Sequence, residues 1–211
     1  MKRLKANIIS LNVGTPKTLN GLGKSVETAI VKEPVDSEIF LSKEQLEGDQ
    51  QADQKNHGGP DKAICVYPFD HYPFWEEELG KKLLPGAFGE NLTVKGLIEE
   101  AVCIGDLFQW GEAQVQVSQP RKPCHKLAKR LESEELPKRV AETGKTGFYF
   151  RVMKEGMVSE STPLQLIKRY SEISVARVNN VYYEHQYDES LIQEVISVPE
   201  LAASWKDMMR E

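Results

Sequence analysis

Residues 103–118, CIGDLFQWGEAQVQVS, decide how the rest of this chain is read. Val115 and Val117 alternate with Gln114, Gln116 and Ser118, and alternation at every second residue places the valines on one face of a half-buried strand. Cys103–Trp110 is another β-prone run just before it. The pattern recurs outward in both directions. Residues 6–13 (ANIISLNV) end at Gly14, residues 63–67 (AICVY) close at Pro68, and Asn91–Val94 forms a further short run. Phe148–Met153 and Met157–Ser159 flank Lys154-Glu155-Gly156, which reads as a hairpin turn. A helix is expected near Asp70–Leu79, carrying Phe74, Trp75 and Leu79, with Gly80 as its stop. Short strands punctuated by Gly and Pro, with few helices of crossover length, predict a barrel-like, mainly antiparallel sheet. The class is mainly β with helices (α+β), not doubly wound α/β.

The C-terminal part differs in character. Thr162-Pro163 has the form of an N-cap followed by proline at the first helical position, with Leu164, Ile167 and Lys168 at helical spacing. Ser174 is placed to cap a helix bearing Val175, Val178 and Tyr182. Asp188 is placed to cap another with Leu191, Ile192, Val195 and Ile196. Pro199 would open a last one, where Leu201, Ala202, Trp205, Met208 and Met209 make an amphipathic stripe. That stripe reads as core packing, not a ligand box. The division expected is a β-barrel-like unit over 1–162 and a small helical unit over 163–211.

Bulk properties narrow the function classes. The 211 residues are 40% hydrophobic and 28% charged, as in ordinary soluble proteins. No apolar run approaches the roughly 20 residues of a membrane span. The N-terminal MKRLKANIISLNVG is too short and too polar in its apolar part for a signal peptide and reads as a first strand, so a cytoplasmic location is expected. A net charge of −5 argues against general nucleic-acid binding. Cys65, Cys103 and Cys124 are odd in number and include no CxxC pair, which gives no support to a disulfide framework, a zinc ribbon or an iron–sulfur cluster. Gly23-Lys24-Ser25 lacks the upstream glycine of a phosphate-binding loop, because position 18 is Thr18. His57-Gly58-Gly59 has no GxSxG nucleophile elbow to serve, and GxGxxG is absent.

One constellation survives: Gln119-Pro120-Arg121-Lys122-Pro123-Cys124-His125-Lys126. From Ala113 to Leu131 there are five Lys or Arg residues and no Asp or Glu, in an acidic protein. Positive charge beside a thiol favours the thiolate and would also hold an anionic ligand such as a phosphate. Leu127 and Leu131 follow at helical spacing, which sets Cys124 near a helix N-terminus. A buried structural cysteine beside solvated lysines is the plainer alternative. His125 is an acid, a base or simply a hydrogen-bond donor. Asn56–Lys62 is a polar, glycine-bearing turn in which His57 and Lys62 offer donors, or a plain surface turn. Pro85–Leu92 is a loop whose Glu90 and Asn91 would line a pocket, or merely a cover for Phe88. His71 and His185 read as packing or surface histidines, and Cys65 and Cys103 as inert core residues.

Taken in order, HGGPDKAICVYP (57–68), LLPGAFGENLTVKGL (83–97), VCIGDLFQWG (102–111) and SQPRKPCHKL (118–127) resemble the MOSC domain, named for the C-terminal domain of molybdenum cofactor sulfurase. VARVNNVYY (175–183) and SVPELAASWKDMM (197–209) resemble the three-α-helix domain that follows it in a bacterial subgroup, which includes proteins conferring resistance to 6-N-hydroxylaminopurine. The resemblance implies a β-barrel-like fold and a molybdopterin-type molybdenum cofactor, with no need for pyridoxal phosphate. It implies a cysteine, here Cys124, that ligates molybdenum or carries sulfane sulfur. Arg121 is the first candidate for the cofactor phosphate, with Lys122, Lys62 and His57 behind it and Glu90 and Asn91 as further lining residues. The activity implied is reduction of N-hydroxylated bases or related small molecules. Since the chain has no flavin or iron–sulfur signature, electrons would come from a separate reductase, for which the helices offer a docking surface. The alternative is a persulfide carrier in cofactor sulfuration or delivery, and a third reading is a catalytically silent interaction module. Neither a membrane nor a nucleic acid is an expected partner.

Overall fold

The computed structural model describes residues 4–53 and 58–210. In chain order the strands are β1 (Lys5–Val13), β2 (Lys17–Gly21), β3 (Lys24–Thr28), β4 (Glu33–Pro34), β5 (Ile39–Leu41), β6 (Ile64–Pro68), β7 (Leu92–Lys95), β8 (Leu107–Trp110), β9 (Ala113–Pro120), β10 (Phe148–Lys154), β11 (Gly156–Val158) and β12 (Leu164–Lys168). The helices are α1 (Tyr72–Leu79), α2 (His125–Leu131), α3 (Leu136–Thr143), α4 (Val175–Glu184), α5 (Glu189–Ile196) and α6 (Ala203–Met208). Seven strands close on themselves in the order β12-β8-β9-β10-β6-β7-β1, and β1 returns to β12 through Lys5↔Gln165 and Ala6↔Leu164. Every neighbour in that ring is antiparallel except β6 and β7. A parallel pair needs a crossover, and the segment carrying α1 supplies it. The barrel expected from the alternating strands is therefore present, with β2–β3 and β5–β11 as separate two-stranded ribbons.

Four local expectations are corrected. Thr162-Pro163 opens no helix, because Leu164–Lys168 is the strand that closes the barrel and the helices begin at Val175. Leu-Gln-Leu-Ile-Lys fits either period. Pairing of Leu164 and Gln165 with β1 settles it, since without β12 both β1 and β8 would end as open edges. The hairpin at Lys154–Gly156 does not form. Both edges of β10 are already taken by β9 and β6, so β11 leaves to pair with β5. The strand expected over Cys103–Trp110 begins only at Leu107. The buried Asp106 carboxylate accepts the Cys103 N–H at 2.9 Å and holds residues 103–106 in a turn, gripped from outside by Arg169 at 2.8 Å. Pro199 precedes an irregular stretch and α6 starts at Ala203, while the Ala202 N–H is drawn to the Ser118 carbonyl of β9.

Ser174 and Asp188 cap α4 and α5 as their sequence positions require, accepting from Arg177 N–H and Leu191 N–H. The three helices form no separate core. Val175, Val178, Val181, Val195, Leu201 and Trp205 join Phe108, Trp110, Val115, Phe148 and Phe150 of the barrel in one apolar cluster. A second cluster, with Tyr67, Tyr72, Trp75, Phe88, Leu127 and Val140, lies under α1, α2 and α3. Among the described residues no helix is long and apolar enough to cross a membrane.

Candidate functional site

The site is built where β9 ends. The Arg121 N–H donates to the Gly147 carbonyl, and the Arg121 side chain turns inward, 7% exposed, to donate from Nη2 to the Phe88 carbonyl at 2.5 Å. Two residues on, Pro123 leads to Cys124, which occupies the N-cap of α2 in extended conformation and is half-buried. Cys124, Arg121, Lys62, Asn91, Lys126, Cys65, Tyr149, Gly89 and the Lys32–Asp49 pair face one cleft of about 570 Å3 of empty space, partly open to solvent.

The loop before β7 owes its shape to Glu90. That carboxylate is fully buried and accepts from Tyr72 Oη, Gly86 N–H, Phe88 N–H and Thr93 Oγ1. Four donors satisfy it with no cation at ion-pair distance among the described residues. The fold they impose aims the Phe88 carbonyl at Arg121. Burial, and then the Glu90 charge, push the Tyr72 hydroxyl well above its ordinary range, so it remains a donor. Asn91 bridges the wall: its Oδ1 accepts the Cys65 N–H, and its Nδ2 donates to the Asn12 carbonyl and to Asp49. Asp49 also accepts from Gly14 N–H and from Lys32 at 2.5 Å, which leaves Lys32 neutralised.

Arg121 and Lys126 are different. Among the described residues neither makes an ion pair. Burial opposes the Arg121 charge, while the acidic groups around it, the buried Glu90 carboxylate among them, keep its proton on. A buried guanidinium with no carboxylate in direct contact among the described residues is costly unless an anion comes to it. Burial lowers the Lys62 ammonium at the rim, against the pull of Asp61 and Asp53. Cys65 and Tyr149 are raised, chiefly by burial, so both face the cleft in neutral form.

The structure thus brings together Cys124, Arg121, Lys62 and Asn91. Glu90 stands behind the wall rather than in it. Lys122 points away from the cleft, its Nζ donating to Tyr182 Oη at 2.9 Å. His57 lies outside the described residues, and His125 is exposed beyond the cleft. Sequence reasoning missed Lys126, Tyr149, the Lys32–Asp49 pair and the exposure of Cys65 to the site. Lys126 had a signal, being two residues past Cys124 on the first turn of a helix. Lys32 and Asp49 had none, because 17 residues separate them. Among the described residues no three His, Cys, Asp or Glu groups are gathered to hold a metal ion. The half-buried Cys124 thiol with Arg121, Lys126 and Lys62 is instead what a metal bound by its own anionic ligand would meet.

A closed seven-stranded barrel, a thiol at its mouth and a helical unit behind define the class. The chain belongs to the MOSC domain family, whose domain matches residues 53–165. Residues 173–211 match the YiiM-like, 3-alpha helix domain, which places the chain in the YiiM-type subgroup. YflK of Bacillus subtilis (strain 168) is 52% identical over 98% of this chain and 94% of its own length. The crystal structure of YiiM from Geobacillus stearothermophilus superposes with a TM-score of 0.83 at 41% identity, covering 97% of each chain. A protein of Gibberella moniliformis (strain M3125 / FGSC 7600) named reductase is 34% identical over 84% of this chain, which spans 32% of that longer protein.

Proposed function

We propose that the cleft holds a molybdopterin-type molybdenum cofactor with Cys124 at the metal, and that the chain reduces N-hydroxylated small molecules with electrons from a separate reductase. The observation that carries this reading is the pairing, in one open cleft, of a reachable thiol with a buried arginine that makes no ion pair among the described residues. The family's association with that cofactor and the reductase among the relatives support it. When bound, the cofactor supplies the two-electron chemistry that removes oxygen from N–OH. Cys124 offers a soft thiolate ligand. Arg121 and Lys126 meet the anionic phosphate of the pterin, with Lys62 at the rim. Tyr149, held protonated by burial, keeps a hydroxyl donor facing the cleft. The Lys32–Asp49–Asn91 wall is internally satisfied and keeps the cleft's shape without adding net charge.

The test is elemental analysis of natively purified protein together with reduction of an N-hydroxylated base, wild type against Cys124→Ser. Stoichiometric molybdenum in the wild type, lost with activity in the variant, is expected. Metal-free protein bearing cyanide-releasable sulfur on Cys124 would overturn the reductase reading in favour of a persulfide carrier.

A further inference from the structure

Lys122 and Pro123 take part in no main-chain hydrogen bond among the described residues; the chain is tied at Arg121 N–H, to Gly147, and next at the Cys124 carbonyl, which accepts Leu127 N–H at 3.0 Å. The side chains therefore position the segment. Arg121 anchors it inward to the barrel. Lys122 anchors it on the other side to the helical unit, where its Nζ reaches Tyr182 Oη at 2.9 Å, lies 5.2 Å from the Tyr182 ring centre and 3.8 Å from Met208 Sδ. Tyr182 is itself fixed edge-on against the buried Trp205 at 5.1 Å. No carboxylate makes an ion pair with Lys122 among the described residues, so its charge is held by neutral groups and is not cancelled two residues from the thiol.

We infer that the C-terminal helical unit is part of the thiol site: Tyr182, acting through Lys122, is a positioning residue that fixes where Cys124 presents its sulfur. The inference rests on Cys124 being the working thiol, but its test uses neither metal nor substrate, so the two readings fail separately. Iodoacetamide alkylation of Cys124 in the full chain, followed by peptide mass, measures the effect in Lys122→Met, Tyr182→Leu, the double variant and Lys122→Arg. Each single change is expected to slow alkylation roughly threefold, the scale of one weak surface contact. The double variant should be no slower than either single one, and Lys122→Arg should restore the rate. Coupling of that kind is not produced by two unrelated structural losses. Unchanged rates in both singles, multiplied effects in the double, or an effect of Tyr182→Leu without one of Lys122→Met would each overturn the inference. Lys122 lies on the surface, so Lys122→Met remains informative if Tyr182→Leu fails to fold.

Discussion

Replacing Arg121 with methionine separates a structural cation from one kept for a ligand. Arg121 is 7% exposed and, among the described residues, its side chain makes one hydrogen bond, to the Phe88 carbonyl. Losing a hydrogen bond from a charged donor costs about 1.5–3 kcal/mol, and the orphaned carbonyl contributes to that loss. Against it stands relief from burying an unpaired charge, whose effective penalty is also several kcal/mol. Methionine retains most of the apolar stem. The two sides nearly cancel, so urea denaturation of the ligand-free protein should shift by no more than about 1 kcal/mol. Anion binding should suffer far more. Loss of a charge-assisted contact worth about 2–3 kcal/mol weakens affinity roughly 30- to 150-fold. Titration with pyrophosphate, followed by thermal melting, reads this directly: the wild type should gain stability with ligand and Arg121→Met should not. A variant that loses 3 kcal/mol or more yet still binds the anion would show that Arg121 serves the core, and the reasoning about its missing counter-ion would be refuted.

Gly147 carries a φ of 71°, and an added Cβ would stand 2.5 Å from the Val66 carbonyl oxygen and 2.9 Å from the Tyr67 ring. Gly147→Ala should therefore cost about 2–5 kcal/mol in chemical denaturation and loosen the Arg121 main-chain bond; a loss under 1 kcal/mol would contradict the packing described. Burial raises the Cys65 thiol from the ordinary 9.0 and pushes Cys103 up to about 11. The unfolded chain releases these protons first, so their contribution is intact below about pH 9 and is lost as pH rises through the folded values. For Cys65 the slope approaches about 1.4 kcal/mol per pH unit, and Cys65→Ala should flatten the alkaline limb of a stability–pH curve.

The strands around Val115 and Val117, the caps at Ser174 and Asp188 and the basic segment around Cys124 were all legible in the chain, because each depends on neighbours a few residues away. Periodicity, capping and local charge are short-range properties. Leu164–Lys168 was not legible: its pattern serves helix and strand equally, and only the unpaired edges of β1 and β8 select the strand. The assembly of the cleft likewise depends on groups distant in sequence. Lys32 and Asn91 both donate to Asp49 across the wall, and Glu90 works from behind it by shaping the loop that holds Arg121. Lys122 and Arg121 are adjacent and alike in charge, yet one turns into the barrel and the other onto Tyr182. Composition brings the cations near the thiol; barrel closure decides which of them faces it.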